Sequence, residues 1–235
     1  MAELEIPGKR LMGNAGRCVA EKALEMTADI NEPAILILCG KGNNGGDGFA
    51  AAAILNEQNY PIQIHSIYDK KEIKNDSLYY YLKCEGLGIP VTFGSHIPEF
   101  KKPDLVIEGL LGTGFKGELR KDLIPWVDWI NETGSKILSI DIPSGLDGNS
   151  GTLHLRAVKA DATVTFGGCK TGMVFRNGPG HSGNVTVGEI GFPKLDELDL
   201  PGLAWNLYSS EDSKEFFHKP VVDAHKYSFG KVLVI

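Results

Sequence analysis

Apolar residues along this chain gather in short uninterrupted runs. The run AILILC at 34–39 is apolar at every position, the pattern of a strand buried on both faces. Six further strand-like runs follow: PIQIHSIY (61–68), IPVTF (89–93), DLVIEGLLG (104–112), KILSIDIPSG (136–145), ATVTFGG (162–168) and NVTVGEIGF (184–192). Helical stretches lie between them. One covers 49–58 and is rich in Ala; one covers 70–87, with Tyr79, Tyr80, Leu82 and Leu87 expected on its inner side; one lies near 119–131. Buried strands alternating with helices predict an α/β fold of three layers around a doubly wound, mostly parallel, Rossmann-like sheet. The segment 193–220 is polar, charged and turn-rich, the composition of a domain edge. We expect a first domain over 1–207. The remainder, 208–235, reads as a linker and the opening of a second domain that is cut short, because KVLVI ends the chain inside a strand.

Composition narrows the class. The chain has 235 residues, 24 Lys and Arg against 30 Asp and Glu, and a net charge of −6. An acidic chain lacks the basic surface that nucleic acid requires. The apolar share of 42% and charged share of 23% are those of a globular protein. No apolar run approaches the ~20 residues of a membrane span, and the N-terminus carries no signal or transit character. Cys18, Cys39, Cys84 and Cys169 are far apart with no CxxC, which points to a reducing cytoplasm rather than a disulfide framework or zinc site. Glycine supplies 29 of the residues. The excess over the usual share of ~7% indicates tight turns or backbone lying against a ligand.

Four constellations could carry chemistry. GKGNNGGDG (40–48) reads as a glycine loop between a buried strand and a helix, where backbone N–H groups and a helix N-terminus suit a phosphate. Gly40, Gly42 and Gly45 match GxGxxG, and Asp69 lies near the end of the next strand, as in the dinucleotide fingerprint. Asn43, Asn44 and Asp47 exceed what a plain turn needs. EGLLGTGFKG (108–117) repeats the GxGxxG spacing at Gly112, Gly114 and Gly117, with Lys116 as a point charge for phosphate. In SIDIPSGLDG (139–148), Asp141 interrupts an apolar strand, where a carboxylate must be paired, hydrogen-bonded or tuned for proton transfer. Lys170 in TFGGCKTG follows a strand and could reach the same edge, or equally be a surface lysine. Walker A, GxSxG and HExxH motifs are missing, and Cys169 has no histidine partner.

Taken together, LMGNAG (11–16), GNNGGDG (42–48), GLLGTGFKG (109–117) and DIPSGLDG (141–148) resemble, in content and order, the motifs of the NAD(P)HX epimerase family. DAHKYSFGKVLVI (223–235) is similar to the opening of the NAD(P)HX dehydratase domain that follows the epimerase in bifunctional nicotinamide-repair proteins. The resemblance implies interconversion of the R and S forms of NADHX and NADPHX, the hydrates of NADH and NADPH, at C6 of the nicotinamide ring. A stereospecific dehydratase can then repair both, and dehydration itself belongs to the longer bifunctional protein. By the same resemblance NAD(P)HX is the substrate, and one potassium ion per subunit is held by oxygens of Asn44, Glu108 and Ser144. Asn43, Asn44, Gly45, Gly46 and Asp47 line the dinucleotide, as do Gly112, Thr113, Gly114, Phe115, Lys116 and Gly117. Asp141 contacts it too and is the acid/base residue; the family also implies a homodimer and a segment of extra helix before Ile6. Two positions depart from the pattern: Glu108 stands where the family has Asp, and Gly13 where LMENAG has Glu. On the residues alone, an NAD(P)-dependent oxidoreductase and a non-enzymatic nucleotide- or protein-binding module stay open as alternatives.

Overall fold

The computed structural model describes residues 6–193, except Lys116 and His154, together with Asp212. The chain divides into two compact units, Met1–Pro193 and Lys194–Ile235. The expected boundary at 207 and, apart from Asp212, the expected second domain over 208–235 lie outside the described residues.

Seven parallel strands form one sheet: β1 (Ile35–Cys39), β2 (Ile62–Ser66), β3 (Val91–Phe93), β4 (Leu105–Gly109), β5 (Lys136–Ile140), β6 (Ala162–Phe166) and β7 (Asn184–Gly188). Their spatial order is β3-β2-β1-β4-β5-β6-β7, with Ile35 in register with both Ile62 and Leu105. The order reverses between β1 and β4. In an open α/β sheet that switch point opens a crevice beyond the carboxyl ends of the strands. All seven strands fall within the predicted runs. β1 and β4 are buried at every position, which is why their sequences are apolar throughout.

Helices cover both faces. α1 (Gly8–Met26), α2 (Asn43–Glu57) and α3 (Asn75–Gly86) pack on one face, and α4 (Ile124–Glu132) on the other. Two short helices, α5 (Thr171–Val174) and α6 (Pro179–Ser182), precede β7. The sequence reading placed no element over α1, although buried Met12, Ala15, Val19, Ala20 and Ala23 recur at helical spacing. The stretch expected to be one helix over 70–87 is a 3-10 turn, Lys70–Glu72, followed by α3. Asp69 caps that turn by accepting from the Lys71 N–H, in a capping box with Glu72. In α3 the buried residues are Ser77, Tyr81 and Cys84. Tyr79, Leu82 and Leu87 are exposed, contrary to the expected inner face. Tyr80 is half-buried, because its Oη donates to the Lys9 carbonyl across Gly13. A Cβ at residue 13 would stand 2.4 Å from that Oη, so the glycine there is matched to this tyrosine.

On the α4 face the fully buried Trp126 stacks on His65, ring centroids 4.9 Å apart, and donates from Nε1 to the Ser95 carbonyl. The His65 ring also bonds Thr92 Oγ1 (2.8 Å) and the Gly94 carbonyl (2.9 Å). Burial lowers the His65 pKa from 6.5, against the opposing effect of the Gly94 carbonyl. A depressed histidine pKa gives stability that is present above the unfolded value and lost as pH falls through the folded one. The stability difference between the wild type and His65→Gln, read from urea unfolding, is therefore expected to shrink from pH 7.5 to pH 5.5. Parallel stability curves across that range would contradict it.

Candidate active site

The turn after β1 carries the first glycine cluster. It is not a loop up to Gly48, as the sequence suggested: α2 begins at Asn43, with Gly42 as its N-cap in an extended conformation. Glycine disfavours a helix interior, but here tight packing demands it. A Cβ on Gly45 would lie 1.9 Å from the Gly40 carbonyl oxygen. One on Gly46 would meet Ser77 Oγ and Met12, and one on Gly16 of α1 would meet Ala50. The absence of side chains lets the first turn of α2 press onto the tip of β1 and onto α1 and α3. Gly45 and Gly46 therefore serve packing and do not line the cleft described below. Asp69, the acid expected of a dinucleotide fingerprint, is spent on its cap.

That packing drives Asn44 into the sheet edge. Its Nδ2 donates to the Leu111 carbonyl (2.8 Å) and the Ile140 carbonyl (3.0 Å), tying α2 to the tips of β4 and β5. Its Oδ1 is buried and has no hydrogen-bond partner among the described residues. An orphaned buried acceptor is costly and marks a place where a donor or cation belongs.

Beneath it lies Glu108, the fourth residue of β4 and fully buried. Oε1 accepts from Ser139 Oγ (2.6 Å) and the Ser144 N–H (3.0 Å). Oε2 accepts from Ser144 Oγ (2.7 Å) and the Leu110 N–H (3.3 Å). Ser144 Oγ in turn accepts from the Leu111 N–H (3.0 Å). Burial raises the Glu108 pKa to about 7 although these four donors pull it down. No basic side chain pairs with it among the described residues. Asn44, Glu108 and Ser144 thus converge around Leu111, and their donors are amide, carboxylate and hydroxyl oxygens, the set a hard cation prefers. Among the described residues no group of three or more His, Cys, Asp or Glu side chains could hold a metal.

Asp141 stands just past the end of β5, not inside the strand as its apolar neighbours implied. Its φ is +64°, a region that short polar Asp tolerates and that concentrates at functional sites. The Ile142 N–H bonds the Ile140 carbonyl across it (2.8 Å), so the backbone turns sharply and the side chain leaves the strand direction. Oδ2 accepts from the Thr113 N–H (2.9 Å) and Thr113 Oγ1 (3.0 Å). Oδ1 pairs with Lys170 Nζ at 2.8 Å. Lys170 also donates to Thr165 Oγ1 and the Phe166 carbonyl, each at 2.7 Å. The lysine left undecided by the sequence therefore fixes the carboxylate.

Asn43, Asn44, Asp47, Gly112, Thr113, Gly114, Phe115, Asp141 and Lys170 line one cleft of about 590 Å³ across the switch point. Glu108 and Ser144 lie beneath it, and Gly117, in a left-handed turn, is off its wall. Lys116 lies outside the described residues. The sequence reading missed Lys41, Tyr68 and Arg120 at one rim and Phe166, Ile190 and Phe192 at the other. Lys41 Nζ and Arg120 Cζ lie over the Tyr68 ring, 4.7 Å and 5.4 Å from its centroid. Only their location past a strand end pointed to them. Asp47, half-buried on α2, makes no hydrogen bond or ion pair among the described residues. Burial, and then the charge of Asp141, push its pKa well above the ordinary 3.8.

The family model "YjeF-related protein N-terminus" matches residues 8–172. The NAD(P)H-hydrate epimerase of Oenococcus oeni is 31% identical over 80% of this chain and 89% of its own. That of Rhodopirellula baltica is 35% identical over 82% of this chain and 79% of its own. The bifunctional NAD(P)H-hydrate repair enzyme Nnr of Archaeoglobus fulgidus is 38% identical over 96% of this chain, which spans only 44% of that relative's length. The crystal structure of the yeast protein ynu0 (YNL200c) superposes with a TM-score of 0.67 over 79% of each chain at 18% identity, a shared fold.

Two of the three glycines in the first GxGxxG match should behave differently. Gly45→Ala forces a Cβ onto backbone and is expected to cost about 3 kcal/mol or more. Gly42→Ala, with nothing within 4 Å, is expected to cost about 1 kcal/mol or less. Chemical denaturation checks both, and equal costs would refute the packing role.

Proposed function

This chain belongs to the YjeF-related N-terminal family, the NAD(P)H-hydrate epimerases, and we propose that it interconverts the R and S forms of NADHX and NADPHX at C6 of the nicotinamide ring. The observation that carries the reading is convergence. Asn44 from α2, Thr113 from the β4 tip and Asp141 from the β5 tip meet at one cleft, with the carboxylate oriented by three donors. In the hydrate, C6 bears a hydroxyl beside the ring nitrogen, so it is a hemiaminal carbon. The hydroxyl leaves with help from the nitrogen lone pair and water returns from the other face. Asp141 transfers the proton at that oxygen. Thr113 and Lys170 hold its two carboxylate oxygens and so fix its direction. The open N–H groups at the first turn of α2 and the cations Lys41 and Arg120 suit the pyrophosphate. No hydride moves, so the reaction consumes no reduced nicotinamide.

Asn44 Oδ1, Glu108 and Ser144 Oγ suit a potassium ion: the amide oxygen is buried and unpartnered among the described residues, Asn44 and Ser144 both bond Leu111, and Ser144 donates to a buried carboxylate that has no counter-charge among them. Bound there, the ion would supply positive charge under the strand tips. Glu108, one methylene longer than the aspartate of the family pattern, reaches Ser139 and Ser144 at once. A homodimer, coupling to an NAD(P)HX dehydratase, a boundary between an epimerase domain and a dehydratase domain near 207, and a cytoplasmic setting complete the proposal. Among the described residues no helix is long and apolar enough to cross a membrane.

One pure NADHX epimer, incubated with the chain and resolved by chromatography, should equilibrate far above the spontaneous rate with no loss of reduced-nicotinamide absorbance. Asp141→Asn, which keeps the side-chain shape and the tolerance of positive φ, is expected to slow exchange by about 100-fold or more. Unchanged exchange would refute the role of Asp141. Potassium should raise thermal stability, by about 2.7 kcal/mol at one hundred times its Kd, and Glu108→Gln should lose that gain. A gain of the same size in Glu108→Gln would remove Glu108 from the ion site.

A further inference from the structure

The mechanism above leaves one carboxyl in the cleft unused. Asp47 projects from the second turn of α2, a helix of the layer that also holds α1 and α3. Asp141 is anchored instead by Thr113, in the loop leading from β4 to α4 on the opposite layer. Both line the same cleft. Asp47 thus reaches the cleft from α2 and Asp141 from the tip of β5.

Their bonding differs as much as their position. Asp141 is tied by Thr113 and Lys170, and the Lys170 ammonium is fully occupied by Asp141, Thr165 and Phe166. Asp47 is half-buried with no partner among the described residues. An unpartnered carboxyl so placed is costly as a charge, and no packing or capping role accounts for it. Two carboxyls in one site, one paired with an ammonium and one without a partner among the described residues, form the pattern of a base and an acid. Burial and the nearby Asp141 charge raise the Asp47 pKa in keeping with this.

We propose that Asp47 is the second proton-transfer residue of the epimerisation, serving the face of the nicotinamide ring opposite to Asp141. The proposal rests on the epimerase reading. In one direction neutral Asp47 protonates the C6 hydroxyl; the C6–O bond breaks, water departs, and the N1 lone pair forms a C6=N1 iminium. Water then attacks C6 from the other face. The new C6–O bond forms, the C6=N1 π pair returns to N1, and the Asp141 carboxylate takes the proton released by the water. One proton has passed from Asp47 to Asp141, and none of the carbons is oxidised or reduced. The opposite epimer uses the same steps in reverse, and exchange with solvent resets the pair.

Each acid alone should still serve its own face. In ¹⁸O-water, Asp47→Asn is expected to interconvert the epimers about 100-fold or more slower than wild type. It should nonetheless exchange the C6 oxygen of one pure epimer with retention of configuration. Asp141→Asn should exchange the oxygen of the other epimer. Mass spectrometry of the resolved epimers, corrected for the spontaneous reaction, reads both effects, and thermal melting confirms that each variant is folded. Interconversion by Asp47→Asn at the wild-type rate would overturn the proposal. So would loss of oxygen exchange from both epimers in a folded Asp47→Asn protein. A wild-type chain that does not speed interconversion at all would instead overturn the epimerase reading beneath it.

Discussion

Everything at the candidate site depends on where one amide is held. The Asn44 side chain bonds the carbonyls that follow β4 and close β5, so three separate elements reach the cleft in one fixed relation. The constraint originates in glycine. Only residues without a Cβ allow the first turn of α2 to approach the Gly40 carbonyl and the flanking helices closely enough for Asn44 to enter the sheet edge. Satisfying two backbone carbonyls leaves the amide oxygen without a donor, and that debt is what makes the position suited to a cation. Packing, polarity and chemistry are therefore parts of one arrangement.

Three acids show how one fold produces different electrostatic roles. Glu108 is surrounded by donors but lacks a counter-charge among the described residues, and burial moves it to about 7. Asp141 has a cation and two threonine donors. Asp47 has neither. Their sequence contexts, all within glycine-rich or apolar runs, are alike; the difference arises from which layer each is anchored to and which neighbour the sheet order brings beside it. The β1–β4 reversal is what allows residues more than sixty positions apart to share a surface.

The strands were legible because burial on both faces leaves no room for polar alternation, and each predicted run contains one observed strand. The helices were legible only in part: the stretches over 49–58 and 119–131 fall on α2 and α4. Low intrinsic helix propensity hid the start of α2, since the packing that rewards glycine there is tertiary. The capped turn at Asp69 delayed the start of α3, whose buried residues are Ser77, Tyr81 and Cys84. Asp141 looked like a residue within a strand because a positive φ leaves no trace in an apolar neighbourhood. The candidate residues Asn43, Asn44, Asp47, Thr113 and Asp141 were legible as a group only through motif order. Lys170, Tyr68 and Arg120, whose placement depends on loop geometry, were not. Gly13 is a departure that the fold explains, for Tyr80 fills the space above it.

The most direct test of the account is a crystal structure of the chain with NADP⁺ bound. The account predicts the nicotinamide ring between the Asp47 and Asp141 carboxyls, with Thr113 and the first turn of α2 against the nucleotide. A nucleotide seated away from these residues, in the neighbouring cleft lined by Asp69 and Asp122, would contradict it.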